Sequence, residues 1–145
     1  MLLIAEECRD YLVTTGRVRK PSSNSGSLPK CFIEAPGGAP SVEETGGNLV
    51  HIRYAGGVPS PSFGEFVDQI DLDFAIRTSD LRTALELGFN ISNDLDGKRA
   101  FQMDTLRVEQ VLRTRPFDRL YESSPGQGYT LIGQFRFMVR KSSQA

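Results

Sequence analysis

The chain has 145 residues and a formal net charge of −1 at pH 7. One domain with a buried core is therefore expected, and a general nucleic-acid-binding protein, which would be basic, is not. No apolar run reaches the about 20 residues that cross a bilayer, and the N-terminal residues lack the basic segment of a signal peptide. Only Cys8 and Cys31 are present, without metal-ligand spacing, which indicates synthesis in a reducing cytoplasm.

An amphipathic helix is predicted over residues 2–14. Its apolar face consists of Leu3, Ile4, Cys8, Tyr11 and Leu12. Its polar face consists of Glu6, Glu7, Arg9 and Asp10. Residues 17–30 are rich in Ser, Gly and Pro and predict a flexible loop. The basic residues Arg17, Arg19 and Lys20 in this loop are candidates for contacting phosphate, although such residues are more often simply solvated.

Two short strands are predicted next, at 31–34 and 49–54, and the second belongs to an extended loop-and-strand insertion over residues 39–65. A longer strand follows at 66–77, where apolar and polar residues alternate with a period of two. Its apolar positions are Phe66, Ile70, Leu72, Phe74 and Ile76. Its polar positions are Gln69, Asp71, Asp73 and Arg77.

A second helix is predicted to begin at Ser79, whose hydroxyl can cap the exposed amides, and to run to about residue 95. Asp80 complements the positive end of the helix dipole. The apolar stripe consists of Leu81, Ala84, Leu85, Gly88, Ile91 and Leu95. Gly97 can end the helix in a left-handed conformation.

The last two predicted strands, at 106–115 and 129–140, form a hairpin with a long, turn-rich connection over 123–128. The first turns Leu106, Val108 and Leu112 to one side, and Pro116 ends it. Its other side carries Arg107, Glu109, Arg113 and Arg115. The second turns Tyr129, Leu131, Phe135, Phe137 and Val139 inward. Its outward positions include Gln134, Arg136 and Arg140.

The element order α-β-β-β-α-β-β predicts an α+β fold, a mostly antiparallel sheet of four to five strands with two helices packed on one face. A single domain is predicted over residues 1–141, and residues 142–145 are expected to fray.

No strand carries a catalytic signature, so we expect neither an enzyme nor a cofactor. Asp71 and Asp73 lie about 7 Å apart on one strand face, where they could hold magnesium, but a salt-bridged sheet face is the simpler interpretation. His51 is not accompanied by a Ser or Cys nucleophile motif, so a structural role is the simpler interpretation. The segment 92–103 resembles a calcium loop only in part, because Met103 occupies the position of the closing carboxylate.

Charge is divided among the long strands. The strand at 66–77 is acidic through Asp71 and Asp73, whereas the last two strands are basic. Neighbouring strands would pair these charges within the chain. Distant strands would leave an acidic and a basic surface for contacts between copies, so both arrangements stay open. The candidate interface residues are Asp71, Asp73, Arg107, Arg113, Arg115, Arg136 and Arg140.

Several strings resemble the tail terminator, or tail-completion, proteins of long-tailed bacteriophages. They are FIEAPGG at 32–38, VDQIDLDFAIR at 67–77, LRVE at 106–109, RPFD at 115–118, GYTL at 128–131 and FRFMVR at 135–140. The insertion at 39–65 departs from the pattern of that family.

The resemblance implies a non-enzymatic virion protein, made in the host cytoplasm and placed at the head-proximal end of the tail. Copies would form a ring, commonly a hexamer, that caps the tail tube, ends its polymerisation and binds the head connector. DNA would pass through the lumen without being read, and the basic residues at 17–20 would face it. Membranes and small-molecule substrates are not expected as partners. The alternatives are a head-side stopper protein, a small metal-dependent enzyme and a module that binds an anionic partner.

Overall fold

The computed structural model describes residues 2–23, 26–33, 48–59, 67–119 and 129–140. Helix α1 spans Leu2–Thr14 and helix α2 spans Leu81–Leu95. The strands are β1 Lys30–Ile33, β2 Asn48–Pro59, β3 Val67–Thr78, β4 Arg99–Gln102, β5 Arg107–Arg119 and β6 Tyr129–Arg140. The predicted α+β class with two helices is confirmed, and the described sheet has six strands rather than four to five.

The six strands lie in the order β1-β2-β3-β6-β5-β4. Strand β1 pairs with β2 in parallel, and every other pairing is antiparallel. The sheet is therefore mixed. Strand β4 was missed because it is four residues long, shows no alternation and is mostly exposed.

One face of the sheet packs against both helices. A single buried cluster contains Ile4 and Leu12 from α1, Ile91 and Leu95 from α2, and alternate residues of the strands. Eight of the predicted inward residues of the two central strands are confirmed as buried, whereas Tyr129 is only half-buried. The eight are Ile70, Leu72, Phe74, Ile76, Leu131, Phe135, Phe137 and Val139. The rings of Phe74 and Phe135 meet edge to face, with centroids 5.3 Å apart, as aromatic pairs prefer.

Helix α1 has the predicted bounds, but one of its polar residues was wrongly assigned to solvent. Glu7 is only 3% exposed. Its carboxylate accepts hydrogen bonds from the backbone amides of Thr105 and Leu106, at 2.8 and 3.0 Å, and from the Thr105 hydroxyl. Burial is tolerated because the turn before β5 supplies three donors to the charged group.

Helix α2 ends where predicted, but it begins at Leu81, two residues later than predicted, with a different capping residue. Asp80, rather than Ser79, is the N-cap, and its carboxylate accepts from the Arg82 amide and from the Thr83 hydroxyl. Gly97 adopts a φ of 77°, which confirms the predicted left-handed end. Leu85 was wrongly placed in the buried stripe, since its side chain is 51% exposed.

The cap of α2 leads to a prediction about pH. Hydrogen bonds from the Thr83 hydroxyl and the Arg82 amide hold the pKa of Asp80 below its ordinary value of 3.8. The charged cap thus stabilises the fold above the unfolded-state pKa, and this contribution is lost as the pH falls through the folded-state pKa. On acidification from about pH 5 to about pH 3, the melting temperature of Asp80→Asn should fall by less than that of the wild type. Thr83→Val should also reduce the dependence of melting temperature on pH. The same dependence in all three chains would contradict the role given to the Asp80 cap.

Strand β5 differs most from its prediction. It continues through Pro116, which lies within a register irregularity between Arg115 and Asp118 where a missing amide donor is tolerated. A further irregularity between Val108 and Gln110 shifts the alternation by one residue. Val111 is therefore buried, and Leu112, which was predicted to face the core, is 41% exposed.

The two cysteines are buried free thiols. Burial raises the pKa of Cys31 to about 12 and also raises the pKa of Cys8. Because the thiolate is the reactive form, we expect iodoacetamide at about pH 8 to leave both unmodified in the native chain and to alkylate both in denaturant. Mass spectrometry would count the adducts, and rapid stoichiometric labelling of native protein would contradict the burial.

Some predicted features lie outside the described residues: Phe66, most of the insertion at 39–65, the turn at 123–128 and the tail at 142–145. The division into one domain stays a prediction. Neither described helix is long and apolar enough to span a membrane.

Candidate functional site

The sheet face opposite the helices carries the predicted acidic and basic side chains, and the strand order brings them together. Strand β3 lies beside β6, and Asp71 is directly opposite Arg136. The guanidinium donates two hydrogen bonds to this carboxylate, at 3.0 and 3.4 Å. The arrangement with neighbouring strands is thus the one observed, and cross-strand pairs of this kind contribute about 0.2–1 kcal/mol each.

Asp73 extends this polar network across four strands. Its carboxylate accepts from Arg53 of β2 at 2.9 Å and from the Gln134 side-chain amide of β6 at 2.8 Å. Gln134 in turn accepts from the Thr114 hydroxyl of β5 at 2.8 Å. Both aspartates therefore hold adjacent strands together, the role that the simpler interpretation of the pair gave them.

Glu109 connects the other two predicted arginines of this face. It lies 3.1 Å from Arg140 and 3.6 Å from Arg107. Arg115 lies opposite Gln134 and is exposed, whereas Arg113 lies opposite the buried Phe135, on the side of the helices. Register irregularities in β5 thus separate Arg113 from the other six candidates, and the part played by all seven in an interface stays a prediction.

Two of the three predicted loop residues have structural contacts. Arg17 donates to both carboxylate oxygens of Asp94 on α2, at 2.7 and 3.2 Å, and this hydrogen bonding raises the pKa of Arg17. Arg19 donates to the carbonyls of Ser23 and Leu28, both at 2.6 Å. Lys20 is exposed. A DNA-facing role for these residues stays a prediction.

The acidic residues of the partial calcium loop also have protein partners. Asp94 binds Arg17, and Asp96 accepts from the backbone amide of Arg113 at 2.9 Å. Within the described ranges, no three His, Cys, Asp or Glu side chains converge as metal ligands.

The sheet face opposite the helices is not charged throughout. Leu49 and His51 lie opposite Arg77 and Ala75, at positions that alternate with the core residues Val50 and Ile52, yet both are buried. The sequence therefore predicted the polar middle of this face correctly and missed its buried end on β2, which contains Leu49 and His51.

Sequence reasoning also missed an exposed apolar surface on α2. Phe89 is 68% exposed and lies one helical turn from Leu85, with an open hollow of about 380 Å³ beside them that Glu86 and Asn90 also line. Phe89 falls outside the apolar stripe of α2 in the sequence, and a large apolar residue on the polar side of a helix is the signal that could have indicated this surface. We call Leu85 and Phe89 the helix patch.

Comparisons with known proteins give no assignment. No protein-family model matches the sequence, and no curated protein matches it significantly.

Proposed function

We propose that this chain is a structural virion protein that assembles as a ring on the end of a phage tail tube, ends tube polymerisation and joins the tail to the head connector. The observation that carries the proposal is the helix patch, where Leu85 and Phe89 are 51% and 68% exposed one helical turn apart. Surfaces of this kind mark sites of protein–protein contact.

The position of the resembling strings supports the same proposal. Three of the strands that carry them, β3, β6 and β5, are consecutive in the sheet. Five of the six strings therefore belong to one continuous part of the sheet, and the sixth, at 32–38, begins in the edge strand β1.

In the proposed mechanism the protein acts by shape alone. Contacts between copies close the ring, commonly as a hexamer, and each rim binds one partner, the tube protein or the connector. DNA passes through the lumen, and Arg17, Arg19 and Lys20 lie on its wall. Neither catalysis nor a cofactor is needed, and the protein resides at the head-proximal end of the virion tail.

Polymerisation of tail tube protein in the presence of the purified chain tests this function. We expect negative-stain electron microscopy to show shorter tubes with a ring at one end, and heat-denatured chain is the control. Tubes of unchanged length without a terminal ring would contradict the proposal. Capture of portal or adaptor protein instead of tube protein would favour the head-side stopper.

A further inference from the structure

The turn between β4 and β5 binds a carboxylate within the folded chain. The backbone amides of Thr105 and Leu106 donate to one carboxylate oxygen of Glu7, Oε1, at 2.8 and 3.0 Å. The Thr105 hydroxyl donates to the other oxygen, Oε2. Successive backbone amides in a turn form an anion-binding concavity of this kind. Three donors thus converge on the two oxygens of one carboxylate.

The three donors are neutral, so the site does not depend on an ion pair. In the part of the chain that the structure describes, no Lys, Arg or His side chain forms an ion pair with Glu7. The charge is held by hydrogen bonds from the turn, and bonds to a charged acceptor are stronger than those between neutral groups. A carboxylate that is not attached to α1 would meet the same three donors.

The turn is also held in place by contacts that do not involve Glu7. The Met103 amide donates to the Leu106 carbonyl at 2.9 Å and closes the turn. Met103 is buried, and Leu106 packs against the core. Thr105 is exposed, so the rim of the site lies at the surface, where a small solute can reach it. A site that is already formed costs little ordering when its ligand binds.

We infer that the turn at 103–106 is a carboxylate-binding site whose ligand in this chain is the Glu7 side chain, and that it binds a small free carboxylate when this side chain is shortened. The inference does not rest on the proposed function. Glu7→Ala removes Cγ and the carboxylate group, and acetate has the same heavy atoms as that fragment. Acetate is therefore the ligand that the site should accept in the Glu7→Ala chain.

Rescue of stability by acetate tests the site. A ligand that binds only the folded chain raises its melting temperature, so about 0.3 M sodium acetate at about pH 7 should raise that of Glu7→Ala by at least about 3 °C more than that of the wild type. The comparison with the wild type removes the general effect of the salt on stability. In 15N-labelled Glu7→Ala, the amide resonances of Thr105 and Leu106 should shift as acetate is added and should reach a plateau.

Matched solutes and chains identify the chemistry of the site. Acetamide, which has the shape of acetate without its charge, and sodium chloride at the same ionic strength should both give smaller shifts than acetate. Glu6→Ala shortens an exposed residue of the same helical turn and should respond to acetate like the wild type. Glu7→Ala combined with Thr105→Val should respond less than Glu7→Ala alone, because the hydroxyl donor is absent.

Three results would overturn the inference. They are equal responses of Glu7→Ala and the wild type to acetate, equal responses of Glu7→Ala to acetate and acetamide, and amide resonances of Thr105 and Leu106 that do not move. If Glu7→Ala is unfolded in chloride, recovery of its native circular dichroism spectrum in acetate would support the site. A chain that stays unfolded in both salts would contradict it.

Discussion

Replacement of Gly133 by valine should lower the free energy of unfolding by about 3 kcal/mol, a large effect for one substitution. A Cβ atom at position 133 would stand 3.0 Å from Cγ of Phe117, and a Cβ atom at Gly88 would meet the same ring at 3.0 Å. Phe117 therefore lies between two glycines, one on β6 and one on α2. Its Cγ is too close to the backbone to move aside without displacing β5.

A double-mutant cycle isolates this contact. In a Phe117→Ala background the ring is absent, so Gly133→Val should cost at least about 1 kcal/mol less than in the wild type. Urea denaturation followed by circular dichroism would give the four free energies. Equal losses of unfolding free energy in the two backgrounds would show that the phenyl ring of Phe117 does not limit the size of residue 133.

Glu7→Ala should destabilise the fold by about 2–3 kcal/mol, because hydrogen bonds to a charged group are strong and the buried Glu7 carboxylate accepts three of them. The carboxylate is the common acceptor for Thr105 and Leu106, so its removal loosens the turn that joins β4 to β5. Glu7→Gln should cost less than Glu7→Ala, since the amide oxygen can still accept from one of the backbone donors.

The neighbouring residue provides the control. Glu6 is exposed in the same helical turn, and Glu6→Ala should change the free energy of unfolding by no more than about 0.5 kcal/mol. Urea denaturation of the three variants would settle the order. A Glu6→Ala chain as unstable as Glu7→Ala would mean that helix propensity or net charge, rather than the buried hydrogen bonds, causes the loss.

The elements that were predicted well from the sequence are those in which apolar residues recur at a regular spacing without interruption. Strands β3 and β6 are central and one face of each forms the core, so alternate residues must be apolar. Both helices have stripes at helical spacing, and the core confirms most of each stripe but not Leu85. The period failed in β5, where register irregularities shift the alternation and expose Leu112. The polarity of the residues does not indicate such an irregularity.

Tertiary contacts account for the other differences. The sequence pattern places Glu7 on the surface, because the contact with the turn at 103–106 exists only in the folded chain. The pairing of Asp71 with Arg136 depends on the strand order, which local patterns do not contain, so the sequence left two charge arrangements open. Phe89 could have been noticed in the sequence, but its exposure could be measured only in the folded chain.

Strand order also bears on how the protein is made. Strand β6 lies between β3 and β5, so Thr78 pairs with Tyr129 and Val67 with Arg140. While β6 is still in the ribosome, β3 has only β2 beside it, and the aspartates of its outer face lack Arg136 and Gln134. A sheet centred on such distant pairings has a high contact order and forms slowly. The nascent chain therefore depends on β6 to complete the centre of the sheet, and folding of the sheet is expected to follow the synthesis of β6.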